Sequence, residues 1–134
     1  MFNALRVSLA LFGIGAIAAG LGFAIVPERL AVEFALSPVG IAGLGNLRAD
    51  LGGTFIALGG FTLLALRPGQ ERWLDVPVVL IGLFLILRLF HLTVDGISPG
   101  GIRSTVVEIV ILAQLILARR IFASGATDVT RGTL

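Results

Sequence analysis

Arg48, Asp50, Arg88, His91, Asp95 and Glu108 are the residues whose types and spacing could do chemistry. Two arginines can hold a carbonyl or anionic group, and two carboxylates can orient those arginines. Arg88, His91 and Asp95 stand at i, i+3 and i+7, which puts them on one helix face. Asp95 can fix the orientation of the His91 ring. Arg48, Arg88, Asp50 and Glu108 sum to zero formal charge, so two Arg–carboxylate pairs would satisfy all four.

Other chemistry is weaker. His91 and Asp95, with Glu108, offer one imidazole and two acids to a divalent ion, but arginines flank them, and a metal site is not expected. Thr93, Ser98 and Ser104 are near His91 in sequence without a nucleophile motif around them, so no catalytic residue is assigned. Gly52-Gly53 and Gly59-Gly60 have no preceding strand and do not form a phosphate-cradling fingerprint. No cofactor is expected.

The elements that must position these residues are set by composition. The chain has 134 residues, 57% of them hydrophobic and 13% charged, with a mean hydropathy of +1.05. Soluble domains carry about 25% charged residues. This chain lacks the polar groups to cover a water-facing surface, which excludes a soluble globular enzyme and a disordered protein. With no Cys there is no disulfide scaffold and no thiolate metal site. The ten basic residues are all Arg, set against eight acids. No basic run exceeds Arg119-Arg120, so nucleic acid is not a partner. The absence of Lys and Tyr suggests a GC-rich bacterial source.

Four apolar stretches stand out, and the fold class expected is all-α, a four-helix transmembrane bundle. The spans are 5–26, 46–66, 76–95 and 103–122, within a single domain 1–123 followed by a polar, frayed tail 124–134. At about 1.5 Å per residue, each crosses a hydrocarbon core of about 30 Å. Arg6 before the first stretch and Ala16-Ile17-Ala18 within it mimic a signal peptide. The apolar run is longer than a signal sequence needs, which favours a retained helix. Between the first two spans, Leu30, Val32, Phe34, Ala35 and Leu36 alternate with Glu28, Arg29 and Glu33. That pattern reads as a short interfacial helix, either a buried connector or a lid, broken at Ser37-Pro38.

Four crossings place both termini on one side. That side carries Arg6, Arg67, Arg72, Arg119, Arg120 and Arg131; the other carries Arg29 and Arg103, with Arg48 and Arg88 close by. The bias puts the termini in the cytoplasm of a bacterial inner membrane, with Trp73 as an interfacial anchor. Small residues at Ala49, Gly53 and Ala57, and in the first helix at Gly15/Ala19 and Ala16/Gly20, form stripes for close helix packing. Asp50 shares the face of Gly53 and Ala57 and so is expected to face a neighbouring helix.

The same parity gathers the embedded ionisable residues into the outer leaflet. A charge at a helix centre costs about 2.5–3.5 kcal/mol on insertion scales, so embedded charges need partners. Two readings follow. In one, the cluster is a polar pocket that binds a small amphiphile, such as a quinone, a lipid headgroup or an organic acid. In the other, the pairs only hold helix register in a structural accessory subunit of a larger membrane complex, or in a homo-oligomer. A proton or ion path needs polar groups all the way across, and the cytoplasmic halves are nearly bare of charge.

The run Asn46-Leu47-Arg48-Ala49-Asp50-Leu51-Gly52-Gly53, together with Arg88-Leu89-Phe90-His91-Leu92, Asp95-Gly96 and Glu108, resembles a group of small bacterial four-helix membrane proteins called domain of unknown function 4345. The likeness covers nearly the whole chain. It implies a four-helix membrane bundle and no activity. The architecture alone is also similar to the DoxX-like four-helix group, some of which are linked to quinone or thiol oxidation. The absence of Cys argues against thiol chemistry here, and a shared fold does not transfer function.

Overall fold

A computed structural model describes the backbone of residues 2–131 and the side chains of residues 3–123. Among the described residues the chain is helical, with no strand. Helix α1 is Phe2–Ile25, α2 is Pro27–Glu33 and α3 is Gly40–Asn46. A π-helical segment, Leu47–Gly52, joins α3 to α4, Gly53–Leu64. A 3-10 turn, Glu71–Leu74, leads into α5, Asp75–Val94, and α6 is Pro99–Arg131. Three helical stretches are long and apolar enough to cross a membrane: Asn3–Ile25, Gly40–Leu64 and Glu71–Val94.

The boundaries follow from local chemistry. Pro27 cannot continue the hydrogen bonding of α1 and instead opens α2 at its first position. Pro77 is tolerated because it lies in the first turn of α5. Gly96 follows α5 with a φ of +106°, a conformation that a side chain would strain. Ser98 then caps α6. Its hydroxyl accepts from the Gly101 N–H at 3.0 Å, with Pro99 at the first helical position. The punctuation Ser98-Pro99-Gly100-Gly101 is therefore the start of a helix as well as the end of a loop. Helix α6 begins four residues before the expected boundary at 103.

Two further boundaries differ from expectation. The second long helix begins at Gly40, six residues before 46, because Gly40 to Asn46 continue directly into the π segment. The short helix expected between the first two spans is present as Pro27–Glu33, and its Pro27 and Ala31 are buried. The tail expected to fray from 124 has helical backbone as far as Arg131, and its last three residues lie outside the described ones.

Packing is built on two antiparallel pairs. Helix α1 lies along α4 and the π segment; α5 lies along α6. Lesser contacts join α4 to α5 and α1 to α6, so the four long elements close a ring. The buried residues of α1 are Leu9, Gly13, Ala16, Gly20, Phe23 and then Pro27. Those intervals alternate between four and three, the spacing that keeps one stripe against one partner. In α6, Gly101, Thr105, Glu108, Leu115, Ala118 and Phe122 are buried along a similar stripe.

The close approach of α1 and α4 uses the expected Gly20 on α1 but different small residues from those expected on the facing helix. A Cβ on Gly20 would lie 2.7 Å from the Gly52 carbonyl oxygen, and one on Gly59 would collide with the Gly13 carbonyl. Gly15 and Gly53 have open space around them. Ala49, Asp50 and Gly53 are exposed and Ala57 is half-buried. The expected stripe thus exists as a face, but the face points away from α1, and Asp50 with it. The physical reason lies in the doublets. Gly52-Gly53 and Gly59-Gly60 each offer two faces, and the α1 glycines, seven residues apart, match Gly52 and Gly59. The π turn supports the choice by placing Leu47 and Gly52, five apart, on the same buried side.

Two apolar cores result. The larger joins all four long helices through residues such as Leu9, Leu58, Ile81 and Leu115, with Leu74 of the 3-10 turn. Trp73 packs at its edge, stacked on Phe61 at 5.4 Å with its indole N–H donated to Gln70 Oε1. The smaller core is Phe23, Ala31 and Leu47, backed by Leu30, Leu51 and Phe55. Phe23, Phe34 and Phe55 form a ring trio with centroids 5.0–5.9 Å apart. This second core contains no residue of α5 or α6. The two helix pairs therefore share a core toward the Trp73 end and separate toward the His91 end.

Candidate functional site

At the His91 end the chain brings these charged residues to one end of the helical body but not to a common point. The antiparallel pairing places the end of α1, the π segment, the end of α5 and the start of α6 together at this end of the body. The six expected residues then divide into separate groups.

Arg88 on α5 and Glu108 on α6 form the buried pair. Arg88 Nε donates to Glu108 Oε1 at 2.8 Å, and Nη2 lies 2.8 Å from the same oxygen. Glu108 is buried, and its Oε2 has no hydrogen-bond partner among the described residues. Burial of a carboxylate is sustainable here because the guanidinium charge lies against it. The arrangement leaves Arg88 Nη1 free to donate elsewhere.

His91 and Asp95 form the exposed pair one turn further on. His91 Nδ1 lies 2.7 Å from Asp95 Oδ2. The carboxylate accepts, so Nδ1 carries the hydrogen and Nε2 is left for another partner. The orienting role expected of Asp95 matches this geometry.

Arg48 does not join them. Its Nε donates to the Ala24 carbonyl at 3.1 Å, where it satisfies a carbonyl in the last turn of α1. Asp50 is exposed and makes no hydrogen bond or ion pair among the described residues. Of the two Arg–carboxylate pairs expected among these four residues, one forms, Arg88 with Glu108, and Arg48 and Asp50 enter no ion pair among the described residues. On the π segment both side chains project outward, and neither is carried toward α5 or α6.

Two concavities open at this end. One, of about 290 Å³, is lined by Phe84, Leu87, Arg88 and His91. The other, of about 170 Å³, is lined by Ile25, Val26, Pro27, Glu28, Arg29 and Arg48. Neither concavity holds all six expected residues. Phe84 and Leu87 were not anticipated, although their spacing with Arg88 and His91 (i, i+3, i+4, i+7) is legible in the sequence as one face of α5. Glu28 and Arg29 were read only as the polar side of an interfacial helix. Among the described residues no cluster of three metal-ligating side chains forms.

The Trp73 end is polar for a different purpose. Arg119 Nε donates to Asp75 Oδ1 at 2.7 Å and ties α6 to the start of α5. Arg6 donates to the Leu66 carbonyl, and Gln114 to the Ser8 hydroxyl. These contacts join elements side by side. No family model matches the chain, and no curated protein or solved structure is significantly similar to it.

Proposed function

We propose that this chain is a four-helix membrane protein that binds a small amphiphile in the Arg88–His91 cavity. The bilayer placement rests on three apolar helices of spanning length and on the apolar outer faces they present. Leu11 and Ile14 on α1 and Val79, Ile86 and Phe90 on α5 are all exposed. Helix α6 makes the fourth crossing in this reading, with the charge of Glu108 held against Arg88 and Gln114 bonded to Ser8. Both termini lie in the cytoplasm of a bacterial inner membrane, by the distribution of arginines.

The observation that carries the binding reading is the lining of the 290 Å³ concavity, a shallow open depression along one face of α5: Phe84 and Leu87 are apolar, and Arg88 and His91 are polar. Ligand sites combine an apolar wall with a few convergent polar groups. A carbonyl or carboxylate oxygen accepts from Arg88, while His91 Nε2 meets a second polar atom of the head group. The aromatic or alkyl body lies along Phe84 and Leu87. Glu108 and Asp95 position the two polar groups and touch no ligand. Arg48 and Asp50, expected in this pocket, are not part of it.

Mass spectrometry of organic extracts from purified protein tests this. Wild type is expected to carry a quinone or organic acid that Arg88→Ala and Phe84→Trp both lose. Equal retention of every copurifying molecule by all three proteins would overturn the reading and favour an accessory subunit whose Arg88–Glu108 pair only joins α5 to α6.

A further inference from the structure

The elbow between α1 and α2 carries a second site of different chemistry. Its 170 Å³ concavity has an apolar side, Ile25, Val26 and Pro27, and a polar side, Glu28, Arg29 and Arg48. The side chains of Glu28 and Arg29 make no hydrogen bond or ion pair among the described residues. Arg48 spends its Nε on the Ala24 carbonyl, which fixes the side chain and leaves its two Nη groups without an acceptor. Two guanidinium groups and one carboxylate therefore line one small hollow without neutralising one another.

We propose that this hollow holds the headgroup of an ethanolamine phospholipid. Guanidinium groups recognise phosphate oxygens through directed, charge-assisted hydrogen bonds. A bare phosphate would meet two favourable charges and one repulsive one. A phosphodiester followed by a primary ammonium meets all three with the correct sign: phosphate on Arg29 and Arg48, ammonium on Glu28. The neighbouring surface suits the rest of a lipid. Ile25 is 73% exposed and Val32 75% exposed, so acyl chains leaving the hollow meet apolar side chains. The inference rests on the membrane placement proposed above and is independent of the Arg88 cavity.

The test uses the full chain in nanodiscs of phosphatidylcholine doped with a minor amount of phosphatidylethanolamine or phosphatidylglycerol of the same acyl chains. Native mass spectrometry counts the lipids retained after release. Wild type is expected to retain phosphatidylethanolamine about tenfold over the other two, the effect of one added ion pair. The double variant Arg29→Gln/Arg48→Gln is expected to fall to the phosphatidylcholine background. Glu28→Gln is expected to retain the ethanolamine and glycerol lipids alike. The Arg29 and Glu28 side chains make no hydrogen bond or ion pair among the described residues, so their single variants carry the test if the double variant does not fold.

Arg88→Ala is expected to leave lipid retention at the wild-type level, so failure of this site and failure of the cavity are read separately. Calorimetry with soluble phosphoethanolamine, in detergent without lipid, is expected to show no binding at concentrations where the lipid is retained. Equal retention by wild type and the double variant would overturn the proposal. So would equal retention of the glycerol and ethanolamine lipids by wild type, or tight binding of the soluble compound.

Discussion

Arg88 donates Nε–H to one oxygen of Glu108, with Nη2 2.8 Å from the same oxygen, and the other oxygen, Oε2, is buried without a partner among the described residues. The pair joins α5 to α6 in a region where the apolar core thins out. Arg88 also lines the Phe84–His91 concavity.

Removing one partner is expected to cost more than removing both. Glu108→Leu leaves the Arg88 charge without its carboxylate and should destabilise the protein by about 1–3 kcal/mol, the Arg being partly screened. Arg88→Leu/Glu108→Leu should recover most of that loss, since apolar residues of similar volume replace an ion pair at little cost. Unfolding titrations in mixed micelles of the single and double variants check it. Additive losses would show that the two side chains do not act as a pair.

The glycine doublets separate two faces of one helix. Gly20→Ala and Gly59→Ala are expected to destabilise the α1–α4 contact by about 1–3 kcal/mol, because each new Cβ meets backbone of the opposite helix. Gly15→Ala and Gly53→Ala meet open space and should be neutral or gain up to about 1 kcal/mol from helix propensity. The same unfolding assay compares the four. A loss at Gly53 equal to that at Gly59 would contradict the observed interface.

The π segment acts as a one-residue insertion between α3 and α4. Deleting the exposed Ala49 should convert it to α-helix, leaving Leu47 and Gly52 four apart and still on one face. Helical content by circular dichroism should be retained, with stability changed by about 1 kcal/mol. Deleting Leu58 instead rotates Gly59 and Thr62 off the buried side and should prevent folding. Equal tolerance of the two deletions would show that the π turn does not set this register.

The Asp75–Arg119 pair is bidentate but largely exposed. Asp75→Asn is therefore expected to cost under about 1 kcal/mol. A loss as large as that of Glu108→Leu would mean that this end is drier than its exposure indicates. Melting temperatures in one detergent compare the two.

The proposed orientation is open to labelling, because the chain has no Cys of its own. Ser37→Cys and Pro68→Cys lie at opposite ends of the helical body and are respectively exposed and expected to react from the periplasm and from the cytoplasm. Membrane-impermeant maleimide on intact cells and on lysed cells distinguishes them. Reversed labelling would overturn the assignment from arginine distribution.

Apart from the end of α6, which is expected at 122 and lies at Arg131, the sequence by itself determined the helical class, the places where long helices stop and the apolar character of their outer faces. These depend on runs of about twenty apolar residues and on Pro and Gly, whose effects are local. It also determined one polar contact, His91 with Asp95, because they are one turn apart on one helix, and it required partners for Arg88 and Glu108 without saying which. The tertiary structure decided which of two adjacent glycines faces α1. It also decided that Arg48 and Asp50 turn outward and that the polar residues line two hollows instead of one. Those outcomes depend on rotation about a helix axis. Rotation is set by how a partner's carbonyls and side chains fit, and by a π turn that shifts the phase of everything before Gly52. A list of residues and spacings carries no record of either.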